Sequence, residues 1–281
     1  MEYLDHRREL VDQRLSAAVE EVEPPELQEQ LAHVTLSGGK RVRPMVTVLA
    51  CEAAGGEVED ALDFAVGIEL VHNASLVIDD IIDESDLRRG KASAWAAFGH
   101  GPAIVASDGL LGEALALFVR EPAAMQAVTD AMVELGGGEA TELVDRPDSE
   151  GAYVELARRK TGALFRAAAE VGAIAADAEA ATVSAFGEYA ERVGIAFQIR
   201  DDVLDATADA DELGKPTGQD AEMDRPSVVE VTDLTPAEAN ERAHEHSDAA
   251  LAALGTVDAR GSEEARAYLR DLAEFVVVRE R

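Results

Sequence analysis

Two acidic clusters with the same spacing constrain this chain more than any other feature of its sequence. The first is Asp79-Asp80-Ile81-Ile82-Asp83, and the second is Asp201-Asp202-Val203-Leu204-Asp205. On a helix, positions i and i+4 lie one above the other and i+1 flanks them, so each cluster gathers three carboxylates. Like charges so placed repel each other, and a bound cation relieves the repulsion. Oxygen ligands that leave room for water and phosphate oxygens favour Mg²⁺.

The repetition of the pattern carries more weight than either cluster alone. An acidic chain produces such patterns by accident, and roughly 0.2 matches are expected at this Asp content. Two matches would arise by chance in about one or two of every hundred chains of this composition. The pair therefore indicates a functional site.

The composition favours an all-α fold. Aromatic residues make up only 4% of the chain, and Ala, Val, Leu and Glu dominate, which favours helices over strands. The patterns predict loops at 91–102 and 207–226, and no linker or repeat divides the chain, so we expect one domain over residues 1–281. The predicted helices cover about 1–20, 24–33, 44–54, 57–85, 103–119, 122–145, 149–174, 178–206, 236–254 and 261–279.

The net charge of −32 limits the possible partners and environments. Such a charge repels nucleic acid, and salt screens its self-repulsion, which favours a halophilic protein over a merely acidic mesophilic one. Cys51 is the single cysteine, so no intramolecular disulfide is expected. The start of the chain has no secretory pattern, and no run of 18 or more apolar residues predicts a membrane span. We therefore expect a cytoplasmic protein.

The few lysines fall at informative places. Each of the four lies beside an arginine, a glycine-rich turn or an acidic cluster, which argues against lysines scattered at random over a solvated surface. Cations next to carboxylates that favour Mg²⁺ predict a site for phosphorylated ligands. The four are Lys40, Lys91, Lys160 and Lys215.

Taken in order, these motifs resemble the trans-isoprenyl diphosphate synthases, the polyprenyl synthetase family of farnesyl and geranylgeranyl diphosphate synthases. The resemblance spans about residues 38–220. It departs from the usual pattern at Ile78, at Ala92-Ser93-Ala94-Trp95, at Arg225 and in a short region between 231 and 252. The matching segments are Gly38-Gly39-Lys40-Arg41-Val42-Arg43-Pro44, His72 ahead of Asp79–Asp83, Arg88-Arg89-Gly90-Lys91, Lys160-Thr161, Phe197-Gln198 through Asp205, and Gly214-Lys215.

The resemblance implies about ten helices around a deep central cavity, usually in a homodimer. It also implies a Mg²⁺-dependent prenyltransferase that condenses an allylic diphosphate with isopentenyl diphosphate, using about three Mg²⁺ ions per site. The metal ligands would be Asp79, Asp80, Asp83, Asp201, Asp202 and Asp205. The allylic diphosphate would contact Arg88, Lys160 and Lys215. Isopentenyl diphosphate would contact Lys40, Arg43, His72 and Arg89. Thr161 and Gln198 would point oxygen dipoles at the allylic cation.

In this family, residues one to two helical turns before the first cluster form the floor of the product pocket. Here they are Val71, Ala74 and Ser75, which are small or medium, so the floor is open and a C20 product is expected. A C20 product would feed membrane lipids in a haloarchaeal cell. The alternative products are C25 and C15. The small side chains could also serve close packing of two helices and have no effect on product length. Two further alternatives are a terpene cyclase and a non-catalytic partner subunit of a synthase. Either would be expected to lack some of the acidic or basic residues of the motifs, and this chain keeps both kinds.

Overall fold

The structure is a computed structural model that describes residues 2–145, 147–207, 226–257 and 260–279. Helices account for most of the described chain, as the composition predicts. They are α1 (Glu2–Glu20), α2 (Pro25–Thr35), α3 (Val42–Ala54), α4 (Val58–Ile82), α5 (Ala94–Phe98), α6 (His100–Phe118), α7 (Pro122–Val144), α8 (Glu150–Ala157), α9 (Ala163–Ala175), α10 (Ala180–Thr207), α11 (Val228–Val231), α12 (Pro236–Gly255) and α13 (Glu263–Val278).

The predicted loop over 91–102 is wrong. Strands β1 (Leu87–Arg88) and β2 (Lys91–Ala92) form a short antiparallel hairpin, and α5 and the start of α6 follow it directly. The Ser93 hydroxyl accepts a hydrogen bond from the backbone N–H of Ala96 and so caps α5. This cap favours a helix, although Gly99, Gly101 and Pro102 are residues typical of loops.

The predicted helix over 149–174 is interrupted. A π-helical turn covers Arg158–Gly162 between α8 and α9, and such turns are frequent at functional sites. Two glycines bring this turn close to α10, because a Cβ added at Gly194 would lie 2.9 Å from the Cα of Gly162. The turn therefore brings Thr161 into contact with α10, while Arg159 and Lys160 pair with glutamates of α7.

The four helices α3, α4, α9 and α10 form the centre of the protein. α4 packs against α1, α3, α6 and α9, and α10 packs against α9, α12 and α13. Buried aliphatic and aromatic side chains such as Leu70, Phe165 and Phe186 fill the space between them. The two helices that carry the acidic clusters are thus fixed by the same core.

By length and composition, α4 and α6 could each cross a membrane. In α4, 61% of the apolar stretch is buried within the protein, which is expected of a core helix. In α6 the buried share is 33%, and its outer face exposes Ile104 and Val105.

Gly172 allows the close crossing of α9 and α3, because a Cβ at this position would lie 2.1 Å from the Thr47 carbonyl oxygen. We expect Gly172→Ala to lower the free energy of unfolding by about 2 kcal/mol or more, since overpacking outweighs the gain in helix propensity. Denaturant unfolding measures the change. Gly151→Ala is the control, because that position is exposed and has open space around it. Equal effects of the two substitutions would contradict the packing account.

Candidate active site

A central cavity of about 190 Å³ lies between α3, α4, α7, α8, α10 and the π-helical turn. Many of the residues singled out in the sequence line it, although they are up to 159 positions apart. They are Arg43, His72, Ser75, Asp79, Lys160, Thr161, Gln198 and Asp202. The cavity thus places charged groups and apolar surface side by side.

The first acidic cluster divides its carboxylates between two spaces. Asp79 faces the central cavity, whereas Asp80 is buried beside a smaller cleft that Arg88 and Arg89 also line. Arg88 Nε lies 2.9 Å from Asp80 Oδ1. Asp83 follows the last residue of α4, and its N–H donates to the Asp79 carbonyl at 2.9 Å, which preserves the one-turn spacing.

The second cluster divides in a similar way. The Asp201 side chain is 60% exposed and pairs with Arg279, whose Nη2 lies 2.8 Å from Oδ1. Asp202 is buried and lines the cavity. It accepts hydrogen bonds from Tyr153 Oη at 2.6 Å, from Gln198 Nε2 at 2.9 Å and from the Val228 backbone N–H at 2.8 Å. Asp205 lies half-buried one turn beyond Asp201.

The arrangement fits Mg²⁺ only together with an anionic ligand. Within the described ranges, no three Asp, Glu, His or Cys side chains come close enough to hold a metal by themselves. Mg²⁺ is commonly bound by one or two carboxylates together with substrate phosphates. Asp79 and Asp202 share a cavity with the cations of Arg43 and Lys160, so the donor set suits a metal–phosphate ligand.

Arg43 and His72 meet at the wall of the central cavity. Arg43 Nη1 donates to His72 Nε2 at 3.3 Å, and the buried Arg43 Nε has no hydrogen-bond partner in the described structure. Burial lowers the pKa of Arg43 to about 10. Burial and the positive charge of Arg43 lower the pKa of His72 well below its usual value, so the ring is neutral at pH 7. An orphaned donor on a buried cation is expected where an anion binds.

Lys160 is held by two carboxylates that the sequence reading missed. Its Nζ lies 3.0 Å from Glu139 Oε2 and forms a still shorter contact with Glu142. Although burial disfavours its charged form, Glu142 and Glu139 raise the pKa of Lys160, which therefore stays protonated. The sequence did offer one indication of this pair, because the i, i+3 spacing of the two glutamates places them on one face of α7.

The structure separates Lys40 from the other predicted diphosphate residues. Lys40 is exposed and faces a different groove, which Arg8 and Phe275 also line. The inward position is taken by Arg41, which pairs with buried Glu69 at 2.6 Å. Arg89 is exposed and donates to the Gly38 carbonyl. Predicted residues Lys215, Gly214 and Arg225 lie outside the described residues.

Thr161 and Gln198 meet across the interface of the π-helical turn and α10. The Thr161 hydroxyl donates to Gln198 Oε1 at 2.8 Å, and both side chains line the cavity. Their proximity depends on the close approach at Gly162 and Gly194.

A second, apolar cavity of about 240 Å³ continues from the first and shares Ser75, Asp79 and Leu164 with it. All three predicted floor residues, Val71, Ala74 and Ser75, line this second cavity. Ala74 also lies at a close helix contact, since the Ser107 hydroxyl donates to its carbonyl at 3.1 Å. The cavity can therefore take an apolar chain whose charged end lies at Asp79.

One turn beyond Val71, an aromatic pair packs against α4. A Cβ added at Gly67 would lie 2.5 Å from the Phe118 ring. Phe118 also stacks on Phe64, with ring centroids 5.6 Å apart. These rings pack against α4 about three turns before Asp79.

Comparisons with known proteins show the family and the fold of this chain. The family model for polyprenyl synthetase matches residues 24–258. The chain is 34% identical to a short chain isoprenyl diphosphate synthase of Methanothermobacter thermautotrophicus over 251 residues, which is 86% of this chain and 77% of that protein. It is 31% identical to a farnesyl diphosphate synthase of Geobacillus stearothermophilus, covering 96% of both. The crystal structure of geranylgeranyl pyrophosphate synthetase from Pyrococcus horikoshii superimposes with a TM-score of 0.91 at 32% identity, covering 99% of this chain and 98% of that one.

The orphaned donor of Arg43 yields a test of anion binding at this residue. We expect Arg43→Met to leave the melting temperature of the unliganded protein equal or higher, because it removes a desolvated charge. The same change should markedly reduce the rise in melting temperature that inorganic diphosphate, added without divalent metal, causes by binding the folded state.

Arg14→Met is the matched control for this test. Arg14 pairs with exposed Asp63 at 2.7 Å, so its replacement should keep the diphosphate response. A full response in Arg43→Met would contradict anion binding at Arg43.

Proposed function

We propose that this chain, which belongs to the polyprenyl synthetase family and is a prenyltransferase, condenses isopentenyl diphosphate with an allylic diphosphate to give geranylgeranyl diphosphate. One observation carries the proposal: the anion-binding residues and Asp79 stand at the mouth of an apolar cavity. A ligand with a diphosphate head and a hydrocarbon tail matches both halves of this arrangement.

The cationic groups divide into two sets that suit two diphosphates. Arg43 and His72 form one, which we assign to isopentenyl diphosphate. The sequence resemblance adds Arg89 to this set, whereas Lys40, which it also implies, faces a different groove. Lys160 lies beside Asp79 in the central cavity, and Arg88 lies beside Asp80 in the adjoining cleft. We assign Lys160 and Arg88, with Lys215, to the allylic diphosphate.

The carboxylates Asp79, Asp80, Asp83 and Asp201 would hold Mg²⁺ together with the allylic diphosphate, and Asp202 and Asp205 would support the second cluster. When bound, the ions would stabilise negative charge on the leaving diphosphate. Arg88 currently pairs with Asp80, and Arg279 pairs with Asp201. These arginines neutralise the carboxylates until a metal–diphosphate ligand arrives.

The chemistry begins with loss of the diphosphate from the allylic carbon. The electron pair of the carbon–oxygen bond leaves with the diphosphate, and Lys160 stabilises that charge as it develops. The resulting allylic cation needs a dry pocket, which the apolar cavity supplies. The oxygen atoms of Thr161 and Gln198 would direct the negative ends of their dipoles at the cation.

The double bond of isopentenyl diphosphate then attacks the cation and forms the new carbon–carbon bond. A proton leaves the adjacent carbon, and the released diphosphate accepts it. No His, Cys or Ser nucleophile is required, and His72, being neutral, serves binding.

The small side chains along the apolar cavity support a C20 product. Ser75 and Val71 lie about one and two turns before Asp79 on α4, and both line the cavity together with Ala74. Two turns span about 11 Å, and one turn corresponds to roughly one isoprene unit. The tail can therefore extend past the level at which a bulky residue in place of Ser75 would stop it at C15.

We further propose a cytoplasmic homodimer adapted to high salt. The exposed apolar residues Ile104, Val105 and Val119 on and beside α6 support an interface between two copies. A net charge of −32 would weaken association at low ionic strength, and salt would screen it.

Turnover is the direct test of this function. With Mg²⁺, high salt, isopentenyl diphosphate and farnesyl diphosphate, the protein should form a C20 product, and a chelator should abolish activity. Asp79→Ala should lower kcat by at least about 100-fold, because the charge it helps to hold develops in the transition state.

Asp63→Ala is the control, since Asp63 is an exposed carboxylate on the same helix and its loss should leave turnover unchanged. Absence of turnover in the unsubstituted protein at every salt concentration would refute the enzyme function.

Ser75→Phe tests where the product stops growing. A phenyl ring one turn below Asp79 should fill the upper part of the apolar cavity and shift the main product to C15, as chromatography of the dephosphorylated products would show. Ser184→Phe adds the same ring at an exposed position of α10 and should leave the product unchanged. An unaltered product distribution in Ser75→Phe would place the floor elsewhere.

A further inference from the structure

We propose that Tyr153 is a positioning residue that acts through Asp202 to fix which atoms of Gln198 and Thr161 face the allylic cation. The inference rests on the proposed function, because it concerns the cation of that reaction. Tyr153 carries no assigned role from the sequence motifs, yet it is 2% exposed and its hydroxyl reaches the second acidic cluster.

Asp202 joins three parts of the chain. Its Oδ2 accepts hydrogen bonds from the Tyr153 hydroxyl of α8 at 2.6 Å and from the Val228 N–H of α11 at 2.8 Å. Its Oδ1 accepts from Gln198 Nε2, one turn earlier on α10, at 2.9 Å. The carboxylate therefore has one oxygen fixed by α8 and α11 and the other directed at Gln198.

This arrangement determines the orientation of the Gln198 amide. An ionised carboxylate accepts hydrogen bonds and cannot donate them. Asp202 therefore requires the NH₂ end of the Gln198 amide, and the reversed amide would place two oxygens against each other. Oε1 must then face the π-helical turn, where it accepts the Thr161 hydroxyl at 2.8 Å.

The orientation of the Gln198 amide in turn determines whether oxygen lone pairs or hydrogen atoms face the cavity. Because the Thr161 hydrogen is used by Gln198, the lone pairs of Thr161 remain for the cavity. The opposite orientation would offer an N–H to Thr161 and free the hydroxyl hydrogen to point at the cation. Asp202 thus keeps negative dipole ends toward a developing positive charge, which lowers its free energy.

Tyr153→Phe removes one hydroxyl group and retains the ring. We expect kcat to fall about tenfold to 100-fold, the range that corresponds to losing a hydrogen bond to a charged group. The KM values of both substrates should stay within about twofold, since ground-state contacts are kept.

A binding comparison separates this role from a structural one. The probes are a prenyl ammonium ion, tested with inorganic diphosphate and Mg²⁺, and an unreactive allylic thiolodiphosphate with Mg²⁺. In Tyr153→Phe the ammonium ion should bind about tenfold more weakly, whereas the thiolodiphosphate should bind as before. Only the first carries positive charge where the cation forms.

Tyr189→Phe is the matched control. Tyr189 is equally buried, and its hydroxyl donates to the Leu269 carbonyl at 2.7 Å, away from the cavity. It should lose comparable thermal stability while keeping kcat and the ratio of the two affinities.

Val228→Pro provides a second route to the same carboxylate. Val228 is the first residue of α11 and follows Ser227 in extended conformation, a position where proline is favoured. The substitution removes the N–H that donates to Asp202 Oδ2. It should weaken binding of the ammonium ion and leave binding of the thiolodiphosphate unchanged. If Tyr153→Phe fails to fold, this variant alone tests the positioning role.

The outcomes are distinguishable. If the unsubstituted protein turns over and both Tyr153→Phe and Val228→Pro keep the affinity ratio of Tyr189→Phe, the positioning role is overturned and the proposed function stands. If the unsubstituted protein fails to turn over, the proposed function fails and this inference fails with it.

Discussion

The balance of charge around two acidic clusters is the constraint on which the rest of the structure depends. Carboxylates at i, i+1 and i+4 destabilise a helix unless cations lie nearby, and this chain has only 25 basic residues against 57 acidic ones. It nevertheless places Arg88 beside Asp80, and Arg279 beside Asp201. Lys160 reverses the arrangement, because two glutamates neutralise the cation. In the proposed function, each ion pair holds its side chains in place in the unliganded protein and is replaced when the metal–diphosphate ligand binds.

The proposed exchange accounts for a site in which closely packed helices hold polar groups that lack some of their hydrogen-bond partners. Arg43 keeps a buried donor without a partner, which costs stability in the unliganded protein and favours anion binding. The apolar cavity beside Asp79 contributes the opposite property, a water-poor space in which a cation is not quenched. α4 connects the two, since it carries Asp79 at the charged end and presents Val71, Ala74 and Ser75 to the apolar cavity.

Local sequence patterns predicted much of this arrangement, but they did not predict contacts between residues far apart in the chain. The helical stretches that carry Asp79 and Asp202 follow from periodicity, whereas the position of Val71 and Ser75 along the apolar cavity was implied by the family resemblance. Tyr153 and Arg279 lie 49 and 78 positions from the aspartates they contact, and no spacing rule links them. The Ser93 cap created a helix where glycine and proline indicated a loop. The Lys40 side chain points away from the central cavity, and Arg41 is buried against Glu69 in its place. This choice depends on a tertiary contact that local sequence does not encode.

The central claim is that the clusters bind metal together with a diphosphate and not by themselves. Titration of the protein with Mn²⁺, followed by electron paramagnetic resonance with and without inorganic diphosphate, tests it directly. The account predicts weak binding of Mn²⁺ alone and at least tenfold tighter binding with diphosphate present, with the enhancement lost in Asp79→Ala. Equally tight Mn²⁺ binding in the absence of diphosphate, or an enhancement that survives Asp79→Ala, would contradict it.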